Sequence, residues 1–245
     1  MIKKKDKDVD KEIAIIGGVG SGSGFNRALI EKLLEKKLYV VAIARSAVDK
    51  DDLIQAFAND RDVEFAWGDL NDTLFLKNLT DRLEKDIGAV SVYIHNPLKL
   101  ALRPFLECTI EDFEDSWIGM VKTAVSASQI LLPSMLQRKE GTLIFTGATA
   151  SIKGNAKSSP FAVAKFGLRA LSQSLAREFG PQGIHVAHVI ADGIITGKRA
   201  QEKFNFPESK CINPEALADV YINLIEQDPS CWTQEMDLRP AHETF

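Results

Sequence analysis

The sequence predicts an α/β protein: one doubly wound, parallel sheet covered by helices on both faces. Three observations carry that prediction. Short apolar, β-branched runs alternate with longer helical segments from end to end of the 245 residues. The runs are apolar throughout rather than at every second position, which is how strands buried on both faces read. The connections are short, and strict β-α alternation with short connections gives parallel strands joined by right-handed crossovers. No repeat or linker interrupts the pattern, so one domain is expected over 12–245, behind a charged arm at 1–11.

The elements follow in order. EIAII (12–16) reads as a buried strand, running through a glycine-rich turn into a helix over 24–36. YVVAIA (39–44) is the second strand, followed by a helical segment over 51–58. VEFAW (63–67) is the third, and a helix begins at Asn71 or Asp72, side chains that accept from first-turn N–H groups. VSVYIH (90–95) precedes one long helical stretch over 110–137, with Thr109 as cap and Glu111 and Asp112 at its positive end. TLIFT (142–146) is the fifth strand; a second long helix over 160–179, capped by Ser158 and Ser159, ends at Gly180-Pro181. IHVAHVI (184–190), a helix over 214–227 and a short strand at 235–238 complete the chain.

Composition excludes several classes of function. The net charge is −4, and no Lys/Arg patch is interleaved with aromatics, so nucleic acid is not the expected partner. No run approaches the roughly 18 apolar residues of a membrane span. MIKKKDKDVDKE carries both signs of charge with no apolar stretch behind it, so it reads as a solvated arm and not a targeting segment. Cys108, Cys211 and Cys231 are odd in number, far apart and without metal-ligand spacing. Free thiols in a reducing compartment follow, and the cytoplasm is the expected location.

The turn after the first strand, GGVGSGSGF, fits GxxxGxG through Gly18, Gly22 and Gly24, with Ser23 between the last two. A turn between a first strand and a first helix can bring backbone N–H groups to a pyrophosphate at the helix N-terminus, where the dipole favours negative charge. The second strand ends at Arg45, with no acidic residue. A carboxylate there would hold an adenosine ribose hydroxyl and repel a 2′-phosphate; a guanidinium offers a phosphate a fork of donors. NADP(H) is therefore favoured over NAD(H). Asp69, followed by Leu70, ends the third strand where a carboxylate can accept from the adenine amino group.

Taken together, these residues resemble the short-chain dehydrogenase/reductase family over nearly the whole chain. The glycine turn, Asp69, HNPL (95–98) with Asn96, the AxxxK spacing of the helix over 160–179 and ADGIIT (191–196) fall in that family's order, with Ala191 in place of its proline. The resemblance implies a single-domain Rossmann fold with a seven-stranded parallel sheet. It also implies Asn96, Lys165 and Thr196 at the cofactor, and a homodimer or homotetramer assembled through the helices over 110–137 and 160–179.

The family's proton chemistry uses a tyrosine, a lysine, a serine and an asparagine. Lys165 matches the lysine, but the tyrosine position holds Phe161, the serine position Ala148 and the asparagine position Met120. A phenyl ring has no proton to give, and a positioned general acid is worth about 10²–10⁴ in rate. The stretches PFAVAKFGLRALSQSLAREFG and WTQEMDLRPAHETF resemble an atypical subgroup that carries Phe at the tyrosine position. Candidate replacements are Thr149, beside the lost serine, then Thr146, Ser151 and His95; His185 and His188, three residues apart in a strand, should not pair. Three functions remain open: an NADP(H)-dependent oxidoreductase on a small carbonyl, alcohol or enone without the usual proton donor, a catalytically inactive NADP(H)-binding sensor or assembly subunit, and a scaffold that binds no dinucleotide.

Overall fold

The computed structural model describes residues 11–20, 24–48, 51–197 and 206–242. Residues 1–10 of the expected arm, and Gly22 and Ser23 of the glycine turn, lie outside these. Seven strands form one sheet: β1 (Ile13–Gly17), β2 (Tyr39–Ala44), β3 (Val63–Trp67), β4 (Val90–His95), β5 (Gly141–Thr146), β6 (Ile184–Ala191) and β7 (Glu235–Leu238). Their order is β3-β2-β1-β4-β5-β6-β7. Every pairing is parallel. The reversal of winding between β1 and β4 opens a crevice at the carboxyl ends of the strands, where ligands of such sheets bind.

The uniformly apolar strands serve two cores. Successive side chains point to opposite faces, so Ile13, Ile15, Tyr93, Leu143 and Phe145 enter one apolar cluster while Ala14, Ile16, Val92, Ile94 and Ile144 enter the other. The first core is covered by α3 (Thr73–Asp86), α5 (Thr123–Arg138) and α6 (Ser159–Phe179), the second by α1 (Gly24–Glu35) and α7 (Pro214–Ile225). Across the second core the rings of Phe25 and Tyr221 meet edge to face with centroids 5.0 Å apart. Two short helices, α2 (Asp51–Ala56) and α4 (Ile110–Trp117), complete the described set. Asp72 caps α3 by accepting from the N–H groups of Leu74 and Phe75.

The structure refines one sequence expectation and corrects another. The stretch over 110–137 is helical throughout, as expected, but not uniform: α4 begins at a Thr109–Asp112 capping box and runs through a π turn at Ile118–Lys122 into α5. Such widened turns free carbonyls from the helical ladder. Here the Thr123 hydroxyl donates to the Gly119 carbonyl at 3.1 Å, and the buried His95 ring bonds the Met120 carbonyl at 2.8 Å. Secondly, Ser158 holds the N-cap position of α6 but does not cap it; its hydroxyl donates to the Asn155 carbonyl at 2.7 Å, and Ser159 is already helical. Pro160 in the first turn has no N–H to satisfy, which reduces the need for a cap.

Candidate functional site

A cleft of about 1290 Å³ runs along the carboxyl ends of the strands, bounded by the loops that follow β1, β2, β3, β4, β5, β6 and β7. Among the described residues no helix is long and apolar enough to cross a membrane.

At the nucleotide end, the glycines are held by contacts within the protein as much as by any need to leave ligand space. Gly18 has φ +84°, and a Cβ there would lie 2.5 Å from the Pro97 nitrogen of the loop after β4. The N–H groups of Gly18 and Val19 both go to the Ile43 carbonyl, at 3.1 and 2.9 Å, so neither points into the cleft. Gly24 permits close packing of α1 on α7: its Cβ would meet Pro214 at 2.9 Å. Gly20 faces open space and lines the cleft. Asn26, on the first turn of α1, was missed by sequence reasoning. It is buried, its amide donates to the Gly20 carbonyl at 3.4 Å, and its Oδ1 accepts from Asn96 at 3.0 Å. A polar residue on the inward face of an amphipathic helix was the signal available for it.

Arg45, Asp69, Leu70 and Asn96 all line the cleft. Asp69 Oδ1 accepts from the Asn71 backbone N–H at 2.8 Å and from its side-chain amide at 3.1 Å, so part of the carboxylate shapes its own turn. Thr196 stands apart. It does not line the cleft, and its N–H and hydroxyl both go to the Ile212 carbonyl, at 3.0 and 3.3 Å.

At the other end, Lys165, Phe161, Ala148 and Thr149 share the cleft wall. Lys165 is 2% exposed and donates to the Thr146 carbonyl at 2.7 Å; burial pushes its ammonium down to about 8. Met120 does not join them: its side chain is fully buried in the first core, and only its carbonyl is engaged, by His95. His95 is not the proton donor considered from sequence. A carbonyl can only accept, so Nε2 carries the proton to Met120, and Nδ1 accepts from the Tyr93 hydroxyl at 2.8 Å. Burial lowers the ring to about 3, leaving it neutral and sealed from the cleft.

The remaining hydroxyl candidates divide. Thr146 bonds the Tyr221 hydroxyl at 2.8 Å. Ser151, fully buried, accepts from the Ala148 N–H at 3.2 Å and lies 3.3 Å from His188 Nε2. His188 is lowered to about 4 by burial despite Glu235 Oε2 at 3.4 Å, while that carboxylate is held in two-point contact by Arg169 at 2.6 Å. His185 bonds the Thr233 carbonyl and stacks on Trp232, so the two histidines do not pair. Thr149 alone of these faces the cleft through its hydroxyl's partner: it donates to Asp192 Oδ1, and Asp192 Oδ2 lies 3.2 Å from Arg239 Nη2. Asp192 and Arg239 were not singled out from the sequence, although a charged residue directly behind a buried strand was a readable signal.

A seven-stranded parallel sheet wound in this order, with a glycine turn at the first crossover and a long cleft over its switch point, defines an α/β protein of the dinucleotide-binding Rossmann type. Residues 12–205 match the family described as short chain dehydrogenase, and the chain belongs to that family. It is 29% identical over 178 residues to an L-xylulose reductase of Mesocricetus auratus, covering 72% of this chain and 70% of that one. It is 27% identical over 188 residues to the 3-oxoacyl-(acyl-carrier-protein) reductase FabG of Haemophilus influenzae, covering 75% and 74%. Among solved structures, a short-chain dehydrogenase from Rhodopseudomonas palustris superposes with a TM-score of 0.76 at 29% identity, over 93% of this chain and 98% of that one.

Proposed function

We propose that the chain is an NADP(H)-dependent oxidoreductase acting on a small carbonyl, alcohol or enone without the family's serine–tyrosine–lysine proton transfer. One observation carries this reading: the cleft retains a buried lysine while the wall beside it presents Phe161 and Ala148. The cleft suits a dinucleotide. Gly20 leaves its near end open, and β2 is followed by Arg45 rather than by an acidic residue, which favours a 2′-phosphate. Lys165 spends one of its three donors on Thr146, and those left suit ribose hydroxyls. When bound, the nicotinamide supplies the hydride acceptor or donor; every proton must come from this chain, the substrate or water.

A second reading is a catalytically inactive nucleotide sensor or assembly subunit. The absence of a hydroxyl at both Phe161 and Ala148 favours it. In either reading the chain assembles as a homodimer or homotetramer through α4, α5 and α6. Exposed apolar side chains on α4 and α6 support that: Ile110 at 70%, Trp117 at 48%, Val163 at 58% and Phe166 at 42%.

Thermal shift and fluorescence titration with NADPH and NADH test both readings, and the absence of stabilisation at millimolar concentrations would remove them. Turnover then separates them. NADPH oxidation followed with aldehydes, ketones and enones, surviving purification and lost in Lys165→Ala, supports the enzyme. Tight binding with no turnover across the panel supports the sensor.

A further inference from the structure

We propose that Thr149 and Asp192 form a proton relay that takes the place of the missing phenol; this rests on the oxidoreductase reading above. The observation behind it is a chain of contacts across three strand ends. Thr149 follows β5, Asp192 follows β6 and Arg239 follows β7, and all three line the cleft. The Thr149 hydroxyl donates to Asp192 Oδ1, and Arg239 lies 3.2 Å from Oδ2 while also bonding Asp237. The side chain of Asp192 is only 10% exposed, so its position is set by these partners and not by solvent.

Three other hydroxyls of the cleft wall are committed elsewhere, and Ser46 stands at the far end, directly after Arg45. Thr146 bonds Tyr221, Ser158 donates to Asn155, and Thr123 donates to Gly119. Among the described cleft residues, Thr149 is the one whose hydroxyl is bonded to a carboxylate. A hydroxyl whose proton already points at a base keeps its lone pairs for accepting, and can take a proton as it gives one up. It is also the residue directly after Ala148, on the same wall as Lys165 and Phe161.

In the oxidative direction the balance is as follows. The substrate alcohol's O–H bond breaks and its proton forms a new bond to Thr149 Oγ1. The proton originally on Oγ1 passes to Asp192 Oδ1, and the hydride leaves the carbinol carbon for oxidised NADP. Alcohol, carboxylate and oxidised dinucleotide thus become carbonyl, carboxylic acid and reduced dinucleotide. Asp192 then returns its proton to water through the cleft. In the reductive direction each transfer reverses. Thr149 is the catalytic residue; Asp192, acting through it, accepts the proton; Arg239 positions the carboxylate.

The test uses Thr149→Val, Thr149→Ser and Asp192→Asn, read by NADPH affinity and by turnover of secondary alcohols and ketones. Asparagine keeps an oxygen to accept from Thr149 but cannot take a proton, which separates proton transfer from positioning. We expect Thr149→Val to lower kcat at least about 100-fold, Thr149→Ser to recover at least about tenfold of that, and Asp192→Asn to lower kcat at least about tenfold. NADPH affinity should stay within about threefold in all of them. Turnover in Thr149→Val or in Asp192→Asn within about threefold of wild type overturns the relay and leaves the oxidoreductase reading standing. NADPH binding without turnover in the wild type overturns the relay and leaves the sensor. Failure of the wild type to bind NADPH removes the underlying reading and the relay with it. If Thr149→Val does not fold, Asp192→Asn decides the matter alone.

Discussion

The ammonium of Lys165 lies 6.0 Å from the centre of the Phe161 ring, one helical turn away on α6. The charge that would lower a phenol's pKa is therefore in place, but it faces a ring with no proton to lose. The ring is itself buried and lines the cleft together with Lys165.

This arrangement predicts that added hydroxyls supply a second proton route. Phe161→Tyr places a phenol beside the buried ammonium, and Ala148→Ser places a hydroxyl on the same cleft wall. Together they should raise reductase turnover by about 10²-fold or more over the parent, the scale of one positioned acid. Steady-state NADPH oxidation with a ketone panel measures it. A double variant that binds NADPH like the parent yet gains nothing would show that the substrate end of the cleft differs in shape as well as in chemistry.

Burial of Lys165 carries a pH signature. Its folded pKa, about 8, lies below the 10.5 of an unperturbed lysine, so the unfolded chain binds more protons between those values. The cost of burying the ammonium is fully present below about pH 8 and is relieved as pH rises toward 10.5. It amounts to about 3 kcal/mol. Lys165→Met should accordingly raise the cofactor-free melting temperature at pH 7, by an amount that shrinks toward pH 10, while weakening NADPH binding at least tenfold. Calorimetry at pH 7, 8.5 and 10 tests the first half, fluorescence titration the second.

Buried neutral histidines set the acid limit. His95 is lowered to about 3 and His188 to about 4, both by burial first. As pH falls below 6.5 the unfolded chain gains these protons while the folded chain does not. Stability is therefore lost from about pH 6.5 downward, at about 1.4 kcal/mol per pH unit for each group. His95→Gln should flatten the slope of unfolding free energy between pH 6 and 4 by one proton, measured by urea titration at several pH values. An unchanged slope would mean that His95 becomes protonated in the folded chain.

The exposed apolar face of α4 and α6 predicts a dissociable assembly. Val163→Glu and Phe166→Glu place charge on side chains that are 58% and 42% exposed, where a single chain has nothing to lose. Both variants should elute as monomers in size-exclusion chromatography with light scattering and should keep their secondary structure. A wild-type chain already monomeric at micromolar concentrations would remove the assembly proposal.

The architecture was legible in the sequence because it rests on local periodicity. Each of the seven strands lies within one residue of its expected bounds, since an apolar β-branched run ended by turn residues has few other uses. Phe161, Ala148 and Lys165, singled out through the family resemblance, do line one cleft. The π turn was not legible. It depends on His95, twenty-five residues upstream of Met120, reaching a carbonyl that ordinary helical periodicity would have hidden.

What the sequence determined by itself was the frame, and the presence of Phe161 and Ala148 where the family it resembles carries hydroxyls. What only the tertiary structure decided was how the remaining polar groups are spent. His95 and Ser151 look available in one dimension and are consumed by buried partners; Met120 proves to be core; Asp192 and Arg239, unremarkable as letters, meet Thr149 in the cleft. Periodicity reports which face a residue occupies. Hydrogen-bond commitment and burial depend on residues brought together from distant strand ends, and those decide which proton can move.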